Sequence, residues 1–264
     1  MRARKAQSLA LARCVQLHGR YGVPICQRDV SIESAATLCG VIAPPFVEHL
    51  SLERRAQLRR IGALLISRRL DWLARWYGTD KGPSAHGYTV HYQRHLGTRR
   101  REHLTILEIG VGGDETNTGG VSLRMWRSFF PAATIIGADL YSKQLPPERR
   151  ITIVQGDQGD TAFLDDLGRR FGPFDVVIDD GSHRGEDIVA SFDALWPQVR
   201  QRGLYVIEDL QTAYDPAYGG GPPDTPGTSM ALLKRRLDDA QITDRSNVHV
   251  YHGIAFIERA ARAR

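Results

Sequence analysis

Cysteine is scarce in this chain: there are three, Cys14, Cys26 and Cys39, all near the N-terminus and none in CxxC spacing. An odd set with that spacing excludes a disulfide framework and a zinc site, and predicts reduced thiols in a cytoplasmic protein. Long apolar runs are also missing. The best, Ile61–Ile66, falls far short of the roughly 20 residues that cross a bilayer, so no membrane span is predicted. No internal repeat or low-complexity tract is present. Acidic residues are absent from the first twenty positions, where Leu9, Leu11, Val15 and Leu17 interleave with basic side chains. Transit peptides share that texture; the plainer reading is an amphipathic or partly disordered arm. The net charge of +5 is uneven: residues 1–70 carry 12 Lys/Arg and 4 Asp/Glu, the remainder 23 and 26. A nucleic-acid partner would therefore rest on the N-terminal segment alone, and none is predicted.

What is present is ordinary for a globular protein. The 264 residues are 42% hydrophobic and 25% charged, enough for one α/β domain with an N-terminal extension. Pro44-Pro45 breaks that extension into two helical stretches, the second spanning Ser51–Trp76 with Leu52, Leu58, Ile61, Leu65, Leu70 and Leu73 at helical spacings. Residues 1–76 are read as a helical extension serving oligomerisation or as a lid, and its apolar, Arg-rich character predicts a homo-oligomer. Residues 77–264 are the catalytic domain. From residue 100 onward, apolar runs ending in acids or glycines alternate with helical stretches. The runs are Leu104–Ile109, Thr134–Ala138, Ile151–Val154, Phe174–Ile178 and Leu204–Ile207; the helices are Ser122–Phe130, Thr161–Phe171, Asp187–Val199 and Ser229–Ala240. Fully apolar strands spaced by helices mean a parallel sheet covered on both faces. At the end, Val248–Tyr251 and Ile254–Ile257 flank His252-Gly253, an antiparallel hairpin. Five parallel strands and a closing hairpin match the Rossmann-like, seven-stranded class I methyltransferase sheet better than a dinucleotide-binding one.

The first strand runs into Glu108-Ile109-Gly110-Val111-Gly112-Gly113. Glycines there permit a tight turn and close approach of backbone to a ligand. The third glycine is adjacent instead of three residues on, and a polar loop, Asp114–Thr118, intervenes before Gly119-Gly120-Val121-Ser122. No helix start is poised for a pyrophosphate, and S-adenosylmethionine has none to bind. Asp139 ends the second strand where an acid can accept hydrogen bonds from ribose hydroxyls; Asp157-Gln158 follows the third and can reach an adenine edge. Taken singly, each acid reads equally as a strand-end cap; the three in register favour a cofactor site built from Glu108, Gly110, Gly112, Ser122, Asp139, Asp157, Gln158 and Asp179.

Two further strand ends carry Asp179-Asp180-Gly181-Ser182-His183 and Glu208-Asp209-Leu210. If these strands are neighbours, Asp180, Glu208 and Asp209 converge and would repel one another unless a cation sat among them. Hard oxygen ligands suit Mg²⁺, Mn²⁺ or Ca²⁺. A divalent ion that chelates two sugar hydroxyls acidifies the nucleophile and aligns it, and His183 stands ready as the general base. The competing reading makes the acids a strand-end turn and His183 a neighbour of a helix N-cap. The stretch Pro216–Gly227, with four prolines and a glycine triplet, reads as a lid over the acceptor.

Here the sequence resembles the metal-dependent O-methyltransferases of antibiotic sugars. The resemblance rests on Leu107–Gly113, on Gly119–Trp126 with Phe130-Pro131, on the DDGSH and IEDL segments, and upstream on Tyr77–Gly82 with His86, Tyr88 and Tyr92. It covers roughly residues 72–215. It implies S-adenosylmethionine as donor, Mg²⁺ held at Asp180, Glu208 and Asp209, His183 as base, a small-molecule glycoside as acceptor, and a Tyr77–Tyr92 segment folding over the cofactor. One departure is Gln93, where the family's pattern favours an acid. A catechol-type O-methyltransferase would use the same ion, but a phenol is acidic enough to need no dedicated histidine. Base-nitrogen methyltransferases resemble one another in a [D/N]PP[Y/F] segment that this chain lacks. A catalytically silent relative of the same fold remains open.

Overall fold

In the computed structural model the residues described are 66–113, 119–243 and 245–261. The three cysteines, the Pro44-Pro45 break and most of the expected N-terminal extension lie outside them. Seven strands among the described residues form one sheet: β1 (Thr105–Ile109), β2 (Thr134–Asp139), β3 (Ile151–Gln155), β4 (Phe174–Asp179), β5 (Val199–Ile207), β6 (Ser246–Tyr251) and β7 (Ile254–Arg259). Their order is β3-β2-β1-β4-β5-β7-β6. The first five run parallel, and β7 enters antiparallel between β5 and β6. This is the Rossmann-like class I methyltransferase arrangement.

Strand periodicity explains the layers. Ile106 faces one side and Leu107 the other, so alternate residues feed two separate cores. On the first face Ile106, Ile135, Val176 and Val206 pack beneath α1 (Leu70–Tyr77), α2 (Thr89–Leu96) and α3 (Val121–Phe129), with Tyr92, Trp126 and Phe129 filling the layer. On the second face Leu107, Ile136, Val177 and Tyr205 meet α4 (Thr161–Phe171), α5 (Gly185–Leu195) and α6 (Ser229–Thr243) through Leu164, Ile188, Phe192 and Leu232. Among the described residues no helix is long and apolar enough to cross a membrane.

Two boundaries depart from the sequence reading. The helix expected to run unbroken to Trp76 is interrupted: Arg69 is extended (φ −123°, ψ 109°) and α1 starts at Leu70. Arg100 donates to both the carbonyl and the hydroxyl of Ser67, drawing that carbonyl away from a helical ladder. The helix expected over Asp187–Val199 stops at Leu195, because Pro197 has no N–H to continue it. A 3₁₀ turn over Trp196–Gln198 follows and β5 begins at Val199. The chain crosses from β2-β1 to β4-β5 on opposite sides of β1, and the crevice at that switch is where open α/β sheets bind ligands.

Candidate active site

At the carboxyl edge of the sheet the backbone shapes one end of a cleft. Gly110 follows β1 with φ +79°, its N–H donating to the Ala138 carbonyl (2.8 Å) while the Asp180 N–H donates to Ile109 (3.0 Å). A Cβ at residue 110 would stand 2.0 Å from the Asp180 carbonyl oxygen, so only glycine fits between β1 and the turn after β4. Asp139 clamps this loop: its Oδ2 accepts from the Val111 amide (3.0 Å) and its Oδ1 from the Tyr141 amide (2.9 Å). Gln158 bridges inward, donating to Asp179 Oδ1 (2.7 Å) and accepting from the Ser182 amide (2.9 Å). Asp179 is buried, which raises its carboxyl to about 6 against the hydrogen bonds from Ser191, Tyr205 and Gln158 that favour its ionised form.

The cavity beside these residues holds about 520 Å³ and is lined by Gly110, Gly112, Asp139, Asp157 and Gln158, and farther along by Asp180, His183 and Asp209. That volume suits a small-molecule site. Glu108, Ser122 and Asp179 do not line it. Glu108 turns into the first core, accepting from Ser122 Oγ (2.9 Å) and Trp126 Nε1 (3.2 Å). Tyr141, Phe163, Arg184 and Asp187 line the cavity as well; spacing carried no signal for them, since each comes from a loop or helix whose approach depends on packing.

The other end of the cavity is made of side chains. Asp180, His183 and Asp209 each offer a ligand atom within 4.8 Å of the others; His183 Nε2 is 3.5 Å from Asp209 Oδ2 and 4.0 Å from Asp180 Oδ1. His183 (φ 58°) and Asp209 (φ 52°) both sit in the left-handed region, which costs a non-glycine residue of order 1 kcal/mol and clusters at functional sites. Burial pushes the Asp209 carboxyl up, but hydrogen bonds from Tyr88 (2.7 Å) and Gln211 (3.1 Å) outweigh it and hold it below the usual range, hence ionised. Two carboxylate donors and an imidazole facing a cavity form a set that fits a hard divalent ion.

Glu208 is not brought into that cluster. It is buried, accepting from Tyr92 Oη (2.5 Å) and pairing with Lys81 Nζ (2.9 Å). Burial raises the Tyr92 phenol well above its ordinary pKa and Glu208 adds to this, so Tyr92 stays a donor. The convergence expected of Asp180 and Glu208 does occur, around the Lys81 ammonium: Nζ lies 2.5 Å from Asp180 Oδ2 and 3.4 Å from Glu108 Oε1. Burial alone would lower the Lys81 pKa, yet attraction from Asp180, Glu208 and Glu108 carries it well above the ordinary lysine value. Sequence reasoning missed Lys81, although the segment containing it was singled out. That segment reaches the acidic end through Lys81, Tyr88 and Tyr92, and Asp80 lines the cavity. Gln93 instead accepts from the Leu70 amide (3.1 Å) at the start of α1. In the stretch read as a lid, the Tyr218 and His183 rings form a T-shaped pair with centres 6.2 Å apart.

No family model matches the chain. Mycinamicin VI 2''-O-methyltransferase of Micromonospora griseorubida is 47% identical over 208 residues, covering 72% of this chain and 52% of the relative. The 8-demethyl-8-alpha-L-rhamnosyl tetracenomycin-C 2'-O-methyltransferase of Streptomyces olivaceus is 41% identical over 207 residues, covering 72% and 54%. The chain thus spans about half the length of the curated relatives it matches. Among solved structures, the MycE methyltransferase of the mycinamycin pathway in complex with Mg, SAH and mycinamycin VI is 42% identical with a TM-score of 0.71, covering 91% of this chain and 67% of that one.

Proposed function

This chain belongs to the family of natural-product sugar O-methyltransferases that includes mycinamicin VI 2''-O-methyltransferase, and on that premise we propose that it transfers a methyl group from S-adenosylmethionine to a sugar hydroxyl on a small natural product. The observation that carries this reading is a single cavity, with the glycine turn and strand-end acids at one end and Asp180, His183 and Asp209 at the other. The protein is further proposed to work in the cytoplasm as a homo-oligomer, with a glycoside and not a nucleic acid as its acceptor. Residues 1–76 would serve oligomerisation or act as a lid, and residues 77–264 would form the catalytic domain.

When bound, the donor supplies an electrophilic methyl sulfonium and a divalent ion, Mg²⁺ foremost, supplies Lewis acidity at the acceptor oxygen. The chain does the rest. Gly110 and Gly112 admit the donor close to backbone, Asp139 holds the loop at the ribose position, and Asp157 with Gln158 faces the adenine end. Glu108, Ser122 and Asp179 act behind that surface, by supporting the residues that line it. Asp180 and Asp209 are the ion's ligands, with Glu208 the third carboxylate behind them. His183 takes the acceptor's proton at Nε2, and Asp209 Oδ2, 3.5 Å away, stabilises the imidazolium.

A second reading is favoured by the place of His183 within the cluster: the imidazole is a ligand and not the base. The two separate by experiment. Methyl-labelled donor is offered with a panel of macrolide and rhamnosylated glycosides, with and without chelator, to the native chain and to His183→Ala. Label transfer that needs divalent ion, together with a His183→Ala variant that still binds Mn²⁺, supports the base. Loss of Mn²⁺ binding supports the ligand. No transfer to any glycoside and no heat of donor binding would refute the proposal.

A further inference from the structure

The proposed mechanism gives no work to one fully buried lysine. Lys81 is 1% exposed and ranks with Trp126 and Tyr92 among the largest fully buried side chains. Its ammonium meets Asp180 at 2.5 Å, Glu208 at 2.9 Å and Glu108 at 3.4 Å. These acids come from β1, β4 and β5, three adjacent strands, so one side chain from the segment before the sheet ties three strand ends together. Its use of Asp180 is selective. Oδ2 is occupied by the ammonium, whereas Oδ1 is the oxygen nearer His183.

We propose that Lys81 is the resident counter-cation of the acidic cluster: it holds Glu108, Asp180 and Glu208 together without a divalent ion, and it shares Asp180 with that ion when one binds. The inference rests on the divalent site proposed above. Three carboxyl groups meet one ammonium here, and a divalent ion brings further positive charge to them. The residue type fits sharing. The chain has four lysines, Lys5, Lys81, Lys143 and Lys234, among 35 basic residues. A compact ammonium with rotatable donors can serve three carboxylates and release one, whereas the planar guanidinium that fills nearly every other basic position is built for bidentate pairing. Lys81 is thus a positioning residue that touches neither donor nor acceptor.

The test compares the native chain with Lys81→Met by thermal unfolding, with chelator and with saturating Mg²⁺, and by calorimetric titration of Mn²⁺. Removing the ammonium leaves the carboxylates to the divalent ion alone. Lys81→Met should therefore melt lower in chelator, gain several times more from Mg²⁺ than the native chain does, and bind Mn²⁺ at least about tenfold tighter. A deficit equal with and without Mg²⁺, at unchanged Mn²⁺ affinity, would mark Lys81 as packing only and overturn the proposal. A native chain that binds no Mn²⁺ would remove the divalent site and this role with it; a native chain that binds while Lys81→Met behaves identically removes the role alone. Should Lys81→Met fail to fold, the native chain still decides. With only four lysines to assign, ¹⁵N-lysine NMR follows the buried ammonium. Mg²⁺ should move that resonance, and a resonance unmoved at saturating Mg²⁺ overturns the proposal.

Discussion

The two ends of the cleft are built in opposite ways. At the glycine end the contacts are backbone to backbone or carboxylate to amide, formed by residues at or next to strand ends: Gly110 against Asp180, Asp139 onto Val111 and Tyr141. At the acidic end the contacts are side chain to side chain between distant segments. Lys81 and Asp180 are 99 residues apart, Tyr92 and Glu208 116, Tyr88 and Asp209 121. The first end needs only that each strand stop where it does. The second needs the segment before the sheet to fold back over it, so its charges depend on the whole tertiary structure. A change at the acidic end should therefore strike chemistry, and one at the glycine end should strike geometry.

The sharpest test of that contrast is Asp209→Ala, which removes a proposed ligand without touching the glycine turn. Turnover should fall at least about 10³-fold, the scale of losing metal-derived transition-state stabilisation. Donor binding by calorimetry should change little; a matching loss of donor affinity would show the two ends to be one unit. His183→Ala should lower turnover by about 10²–10⁴-fold if it is the base. Steady-state kinetics should place that loss in kcat, leaving the KM for donor nearly unchanged.

Gly110→Ala probes the seam between the ends, and there the contrast should break down. A methyl 2.0 Å from the Asp180 carbonyl, on a residue at positive φ, must displace both the turn and the acidic strand end. The expected cost is about 2–4 kcal/mol of stability in denaturant titration, with donor and Mn²⁺ affinity falling together. Native stability with only donor binding lost would mean that the turn after β4 can yield independently.

The smallest effect lies away from the cleft and sets its baseline. His95 stacks on Phe256 (ring centres 4.3 Å apart) and bonds Tyr251 Oη (3.0 Å). Burial lowers its pKa to about 4, with His249, Arg94 and His91 adding to the shift. The unfolded chain protonates near 6.5, the folded chain only near 4. The native state's advantage is thus complete above about 6.5 and drains away as pH falls toward 4. Melting temperature should drop across that window more steeply in the native chain than in His95→Gln; parallel curves would contradict the assignment.

The sheet was legible in the sequence because parallel strands covered on both faces are continuous apolar runs, and because each ends in a glycine or acid at the edge that binds ligands. That placed all seven strands, and brought Asp139, Asp157 and Gln158 to the cavity. Short-range chemistry misled in two places. The helical periodicity of Leu65, Leu70 and Leu73 could not reveal that Arg100 captures Ser67 from the far side of α2. Pro197 was visible, but it took the packing of Trp196 on Phe192 and the start of β5 to turn it into the end of a helix.

For Glu108 and Glu208, strand-end position carried no information on side-chain direction. Each lies where a ligand residue is expected, yet each points into the first core, toward Ser122 and Trp126 in one case and Tyr92 in the other. A one-residue step along a strand reverses the face, and the turn after it decides which neighbour faces the cavity. By itself, then, the sequence determined the class of sheet, the edge that carries the chemistry and the residue types available there. Tertiary structure decided how the carboxylates divide: Asp209 to the open cluster with His183, Glu208 and Glu108 to a buried lysine, and Asp180 to both. The reason is physical. Where charges are few ångströms apart and out of water, each carboxylate must find a cation or a donor, and the one that closes this cluster comes from a segment that only folding brings near.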